Sequence, residues 1–422
     1  MATLTIAQAS CADDYDPNSM PVAKAREFIF RFLQPLRATQ RVPIRSALGR
    51  VLAEDILSPV NVPSHRNSAM DGWAMRGADL NPVAETLLME VGASFAGKPF
   101  TGTVLAGQCV RIMTGGVVPE GTDTVVMQER ARAEGKAITF AAGQKTGQNV
   151  REAGEDLARG SLALARGRRI RPAELGLIAS LGIGEVSVFR ALRVAFFSTG
   201  DELKGVGATL AEGEIYDSNR YTLHGMLTRL GCEVLDMGVV RDDPASLERA
   251  FTEAAANADV VITSGGVSVG EADFVKPMLA KLGEVVFWKI AMKPGRPLAY
   301  GKIGGAHFFG LPGNPVSVMV TFYQFVREAL LVLMGANPVE PIPTFTARCT
   351  QRLKKAPGRT EFQRGILTRG PDGALSVKPT GEQGSGILKS MSDANCFIIL
   401  GDDTGNVEPG TPVEVQLLEG VV

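Results

Sequence analysis

Between residues 191 and 335 short apolar, β-branched runs alternate with helix-patterned segments, and this alternation limits the fold more than any other feature of the chain. ALRVAFFSTG reads as a strand entering a glycine turn. SNRYTLHGMLTRLG reads as an amphipathic helix closed by Gly231, the residue type that suits a left-handed C-cap. CEVLDMGVV is a strand. DPASLERAFTEAAANA is a helix opening at Asp243 or Pro244. ADVVITSGG is a strand, EADFVKPMLAKLG a helix and EVVFWKI a strand. AHFFGLPGNP then leads into a long helix from Pro315 to about Met334. Strand–helix order of this kind predicts a doubly wound parallel sheet in an α/β domain.

The flanking segments read differently. A chain of 422 residues has room for two to four domains of roughly 100–200 residues each. Residues 21–36 carry apolar positions at helical spacing behind Pro21. Residues 63–145 hold short β-like runs separated by glycine and proline, which predicts a small β-rich domain. RPAELGLIASLGI, from Arg171, is again helical, so residues 21–62 and 146–190 are expected to form one discontinuous domain. Pro338, Pro341 and Pro343 mark a junction, and residues 336–422 predict a second small β domain.

Composition removes several classes. Acidic and basic residues number 45 and 44, for a net charge of −1, which argues against a broad nucleic-acid footprint. Five scattered cysteines without a CxxC pair, and three histidines, argue against structural zinc and fit a reducing cytoplasm. No apolar run of about 18 residues predicts a membrane span. The N-terminal stretch MATLTIAQASCADDYDP has no basic n-region, so it does not read as a signal peptide; about the first 20 residues are expected to be a loose tail. Glycine, at 48 residues, exceeds the usual ~7% and clusters in loops.

In open parallel sheets ligands bind beyond the carboxyl ends of the strands, and three such ends carry suggestive loops. FSTGDEL places Asp201 and Glu202 past one strand. TSGGVSVGEADF offers Gly265, Gly266 and Ser268 for close backbone approach to a phosphate, followed by Glu271 and Asp273. It lacks the lysine of a Walker loop. Two carboxylates beside an oxyanion call for a hard cation, Mg²⁺ over zinc. The same residues also suit a tight strand–helix turn with acids in the first helical turn. GLPGNPVSV starts a helix at Asn314 and Pro315, whose free N–H groups suit an anion. Lys289, Lys293 and Arg296 bring three cations near the same end; solvated lysines at a strand terminus are the alternative. Asp71 of SHRNSAMDGWAM, Thr114 of RIMTGG, and Glu155 and Asp156 of REAGEDL stand in further turns, each a weak signal alone.

Taken in order, NSAMDGWA, RIMTGG, PEGTDTVVMQE, GEDL, STGDEL, GEIYDSNRYTL, RDD, TSGGVSVGEADF, MKPGRP, GLPGNPVSV and GEQGSGIL resemble the molybdopterin molybdenumtransferase family, the bacterial MoeA proteins and the E domain of gephyrin. The resemblance covers about residues 21–420. It implies an elongated homodimer of four-domain subunits that inserts molybdenum from molybdate into adenylylated molybdopterin, with Mg²⁺ assisting and AMP released. It implies a cleft between the α/β domain of one subunit and the 63–145 domain of the other. By motif position, Glu202, Asp242 and Asp273 resemble metal and phosphate-side residues, with Asp156 a further cleft acid and Asp71 and Thr114 the partner subunit's contribution. Lys289 matches a cleft lysine. Lys293, Arg296 and Ser317 resemble residues near molybdate, with Arg364 and Ser385 reaching in from the C-terminal domain. His65-Arg66, Trp73 and Arg296 depart from common family choices, which leaves oxyanion geometry at Arg296 open because a guanidinium fork and an ammonium differ.

Molybdopterin adenylyltransferase and cofactor-accepting proteins are the partners such an enzyme implies. The alternatives are the adenylyltransferase itself, which shares only the α/β domain, a non-catalytic scaffold of the gephyrin kind, and an unrelated nucleotide-binding module.

Overall fold

The structure is a computed structural model that describes residues 5–12, 16, 18–266 and 275–418. Four parallel strands form the centre of its largest α/β unit, in the order Glu233–Val240, Arg193–Thr199, Val260–Ser264 and Ala306–Leu311. Their apolar runs are continuous because both faces are covered. Val194 and Phe196 point into one core with Leu223, Leu227 and Val318. Ala195 and Phe197 point into the other with Leu247, Phe251 and Leu279. Period-two alternation thus feeds two helical layers from one strand.

The predicted helices and caps form. Asp217 accepts from Arg220 N (3.2 Å) at the start of Ser218–Leu230, and Gly231 closes it at φ 86°. Asp243 accepts from Ser246 N (2.9 Å) ahead of Pro244–Asn257. The sheet also has a mixed edge that the sequence pattern did not announce. Pro297–Ile303 and Gly283–Lys289 complete it as antiparallel strands, so the loop after Lys293 turns straight back into the sheet.

Outside this unit, Thr39–Pro43 pairs with Glu185–Phe189, and Ile56–Leu57 with Leu162–Leu164. The two segments flanking residues 63–145 therefore share ladders. Within that span, six strands run from Thr124–Met127 to Ala131–Glu134 around Trp73, Leu88 and Phe140. A third six-stranded sheet lies in the C-terminal region, where Thr360–Arg369 pairs with both Leu375–Pro379 and Cys396–Leu400. Its edge is Met292–Lys293, which ties the Lys293 loop to the C-terminal sheet.

One expectation changes. Residues 6–12 are not a loose tail: they form a helix with Ile6 and Ala9 buried, and Ile6 N donates to Glu284 Oε2 (3.1 Å). The helix Pro315–Leu333 is, by length and composition, apolar enough to cross a membrane. Most of it is packed inside the protein, with Val318, Phe322, Phe325 and Leu330 in the main core. A π turn at Phe322–Val326 interrupts it, and there Gln324 Nε2 donates to Gln416 Oε1 (2.8 Å), a buried link to the C-terminal sheet.

Candidate functional site

Beyond the carboxyl ends of the parallel strands opens a cleft of about 1100 Å³. Its floor is set by close backbone contact. Gly265 (φ 89°) and Gly266 (φ 69°) follow Val260–Ser264, and a Cβ on Gly265 would lie 2.6 Å from the Thr199 carbonyl oxygen. Only glycine satisfies both the left-handed backbone and that approach. Asn219, 7% exposed, clamps the floor: its Nδ2 donates to Ser264 Oγ (2.7 Å) and to the Gly313 carbonyl (2.6 Å).

Glu202 and Asp242 both line the cleft. Asp201 supports the same rim, its Oδ1 accepting from Asp242 N at 3.5 Å. Lys293 and Arg296 line the cleft from the loop that precedes Pro297–Ile303. Lys293 Nζ lies 3.4 Å from Glu361 Oε1, and Arg296 Nη2 donates to the Asn18 carbonyl (3.3 Å). Asn314 and Ser317 belong to the start of the long helix, and Val316 N donates to the Ser385 carbonyl (3.1 Å). That bond fixes the Gly384–Ser385–Gly386 loop of the C-terminal region against the α/β unit, where it forms part of the wall.

Glu202, Asp242, Gly265, Gly266, Lys293, Arg296, Asn314, Ser317 and Ser385 are thus brought together. Ser268, Glu271 and Asp273 lie outside the described residues. Arg364 is 1% exposed and faces inward: it donates to Ser390 Oγ (2.9 Å), Gln383 O (3.1 Å) and Gly384 O (2.8 Å). It shapes the loop that carries Ser385 and is not itself part of the wall. Burial pushes its guanidinium down to about 10. Lys289 sits on the antiparallel edge strand, its carbonyl accepting from Met20 N (3.0 Å).

Asp71 and Thr114 are adjacent to each other but stand on the 63–145 sheet rather than on the cleft wall. Asp71 Oδ1 accepts from Thr114 N and Thr114 Oγ1, both at 2.8 Å. The backbone N–H, then the hydroxyl, hold the Asp71 carboxyl below its ordinary value. Asp156 is exposed, its N–H donating to the Val62 carbonyl (3.1 Å).

Among the wall residues that carry no individual prediction are Asp217, Asn219, Arg359 and Gln383. Asp217 and Asn219 stand in GEIYDSN directly after a strand-end loop, a signal that was present. Arg359 and Gln383 come from the C-terminal region and have no local signature. Among the described residues no three His, Cys, Asp or Glu side chains converge on a metal position. Glu202 and Asp242 are hard oxygen donors, and one or two carboxylates completed by substrate phosphates is the usual way Mg²⁺ is held; the pair fits.

Three regional family models match the chain in succession: "MoeA N-terminal region (domain I and II)" over residues 20–182, "Probable molybdopterin binding domain" over 195–331 and "MoeA C-terminal region (domain IV)" over 346–418. The chain is 48% identical over 380 residues to a molybdopterin molybdenumtransferase of Haemophilus influenzae, covering 90% of this chain and 93% of that one. It is 34% identical over 410 residues to the Bacillus subtilis protein of the same name, covering 94% of each. The crystal structure of a molybdopterin biosynthesis MoeA protein from Pyrococcus horikoshii superposes with a TM-score of 0.82 at 28% identity, over 95% of this chain and all of that one. With its strand-end cleft and these matches along nearly its whole length, the chain belongs to the MoeA-type molybdopterin molybdenumtransferase family.

Proposed function

We propose that this chain is a transferase of molybdenum cofactor biosynthesis that inserts molybdate into adenylylated molybdopterin and releases AMP. The observation that carries the reading is the cleft itself, with glycine backbone at its floor, Glu202 and Asp242 on its wall, and Lys293 and Arg296 on the same surface. A pterin nucleotide joined through a pyrophosphate is polyanionic, and so is molybdate. Such substrates need backbone amides and cations in one water-restricted place.

The residues divide the work as follows. Gly265 and Gly266 let phosphate oxygens reach the backbone, and Asn219 holds their loop in register with Gly313. Lys293 and Arg296, with Ser317, orient the oxyanion, and Arg364 fixes the loop that presents Ser385. Asn314 starts the helix whose N-terminus faces the cleft. Glu202 and Asp242, with Asp273 by its place in the sequence motif, would hold Mg²⁺, which would supply charge neutralisation at the pyrophosphate. No covalent nucleophile is required.

Asp71 and Thr114 join the reaction by completing the cleft of a second subunit in a homodimer, with Asp156 a further cleft acid. Their position away from the cleft wall supports this, as do exposed Leu57 and Leu162 on the two-stranded ladder Ile56–Leu57 with Leu162–Leu164. We infer a division into 21–62 with 146–190, 63–145, 191–335 and 336–422; pairing of Thr39–Pro43 with Glu185–Phe189 and of Ile56–Leu57 with Leu162–Leu164 supports the discontinuous first part. Cys109, Cys232, Cys349 and Cys396 are free thiols, which supports a cytoplasmic setting, where the adenylyltransferase would deliver substrate and apo-enzymes would accept product.

Purified protein supplied with adenylylated molybdopterin, Mg²⁺ and molybdate should release AMP in a molybdate-stimulated manner. Glu202→Ala should reduce that release roughly 10²-fold or more with an unchanged circular dichroism spectrum. AMP release indifferent to molybdate, or adenylylation of molybdopterin from ATP, would sink the reading in favour of an adenylyltransferase.

A further inference from the structure

Lys293 is one of three cations that line the strand-end cleft, with Arg296 and Arg359. Of these three it is the one that pairs with a carboxylate among the described residues. That partner, Glu361, is only 4% exposed. Its Oε1 lies 3.4 Å from Lys293 Nζ, and its Oε2 accepts from Gln363 Nε2 (2.9 Å). Gln363 is buried and held in turn, the same Nε2 donating to the Lys354 carbonyl (2.9 Å). A carboxylate taken out of water is costly unless opposite charge and hydrogen bonds compensate it. Here one oxygen receives the charge and the other the hydrogen bond.

This pair is not needed to join the two sheets. Met292–Lys293 and Thr360–Glu361 are already in parallel register, and Thr360 N donates to the Ala291 carbonyl (2.9 Å). Backbone pairing cannot set where the lysine ammonium goes, because that group ends a flexible four-carbon stem. The Lys293 side chain is half-exposed on the cleft wall, whereas Glu361 is buried and tied to Gln363. The fixed member therefore sets the place of the mobile one. The backbone beneath Lys293 is braced as well: Gly295, at φ 96°, backs onto the long helix, where a Cβ would lie 2.7 Å from Thr321 Oγ1. A cation placed before the substrate arrives needs no reorganisation during the reaction.

We propose that Glu361 is a positioning residue for the oxyanion reaction: anchored by Gln363 in the C-terminal sheet, it fixes the Lys293 ammonium on the wall of the cleft. The assignment rests on the reading above that Lys293 orients the oxyanion. Glu361 acts through Lys293 and not on the substrate itself. Its carboxylate also offsets part of the Lys293 charge, so removing it sacrifices orientation and not attraction for an anion. The turnover step should therefore suffer while oxyanion binding does not.

Steady-state AMP release at varied molybdate, beside crystal structures of the parent and its variants, tests this. Glu361→Gln should lower kcat about tenfold or more without raising the molybdate KM, as expected for a group misplaced in the transition state and not in binding. In its crystal structure the Lys293 side chain should leave the position it holds in the parent. Glu361→Asp keeps the charge but withdraws it by one methylene. It should lower kcat several-fold, again without a rise in KM, so the test survives misfolding of the glutamine variant. An unchanged kcat in either variant, a raised KM at unchanged kcat, or Lys293 held in its parental position in Glu361→Gln overturns the proposal. A parent whose AMP release ignores molybdate sinks the transferase reading instead, and the place of Lys293 in the two variant structures still decides whether Glu361 sets it.

Discussion

Asn219 reaches Ser264 Oγ at 2.7 Å and the Gly313 carbonyl at 2.6 Å through one side-chain nitrogen, so a single buried amide joins the ends of two neighbouring strands. Val260–Ser264 and Ala306–Leu311 are already paired in parallel up to Ser264 and Leu311. The clamp extends that register past the sheet, into the two loops that form the cleft floor. Asn219→Ala leaves both acceptors unpaired, which costs about 1–3 kcal/mol of stability. Urea unfolding should show that loss. AMP release should fall further than the lost stability accounts for, since both loops are released together; a variant with full activity would count against a positioning role.

Gly265→Ala tests the floor directly. The added methyl would meet the Thr199 carbonyl at 2.6 Å, from a backbone at φ 89°, so the loop must shift. Substrate affinity should fall at least tenfold in equilibrium binding, while Gly205→Ala, which has open space around it, should bind normally.

Asp71 tests electrostatics on the 63–145 sheet. Its pKa is depressed, first by the Thr114 backbone N–H and then by the Thr114 hydroxyl. A carboxyl depressed on folding contributes stability that is present above its unfolded pKa and lost as pH falls through the folded value. Thr114→Val removes only the hydroxyl bond, so the Asp71 carboxyl should titrate at higher pH than in the parent, though still below an unperturbed aspartate. Carbon-detected NMR titration reads this shift.

Mixed dimers test shared clefts. Asp71→Ala subunits combined with Glu202→Ala subunits should regain part of the activity that each variant lacks alone, because one cleft per dimer then carries both intact contributions. Activity no higher than that of either homodimer would place Asp71 outside the partner's cleft.

Glu174 governs acid stability at its contacts with Arg168 and Arg171. Hydrogen bonds from Arg171 chiefly, and from Arg168, bring its carboxyl down to about 2 against the opposing effect of burial. The associated stability is complete above about pH 4.5 and disappears as pH falls toward 2. Glu174→Gln should cost on the order of 1–3 kcal/mol at pH 7, discounted because the two arginines are well exposed. It should also flatten the acid limb of a pH series of urea denaturations.

Much of the α/β unit was written locally. Asp217 and Asp243 cap their helices, Gly231 ends one, and the continuous apolar run of Val260–Ser264 announces a strand covered on both faces. The edge strand Pro297–Ile303 was not legible. PLAYGKI is a short run behind a Lys-Pro-Gly-Arg loop, and only pairing with Gly283–Lys289 and Ala306–Leu311 makes it a strand. Short-range preference cannot supply that, because the stabilising partners are distant in sequence.

The amino-acid order alone determined the layered α/β architecture, the glycine turns at the strand ends, and the residue types able to meet a polyanion there, since each depends on neighbours a few positions away. Tertiary structure decided which of those residues share one cleft. It set Arg364 inward to hold the Ser385 loop, left Asp71 and Thr114 on a separate sheet, and brought buried Glu361 to Lys293, a contact that no motif marks. Those outcomes rest on packing between segments far apart in the chain, where burial and charge are fixed only once the sheets and helices have met.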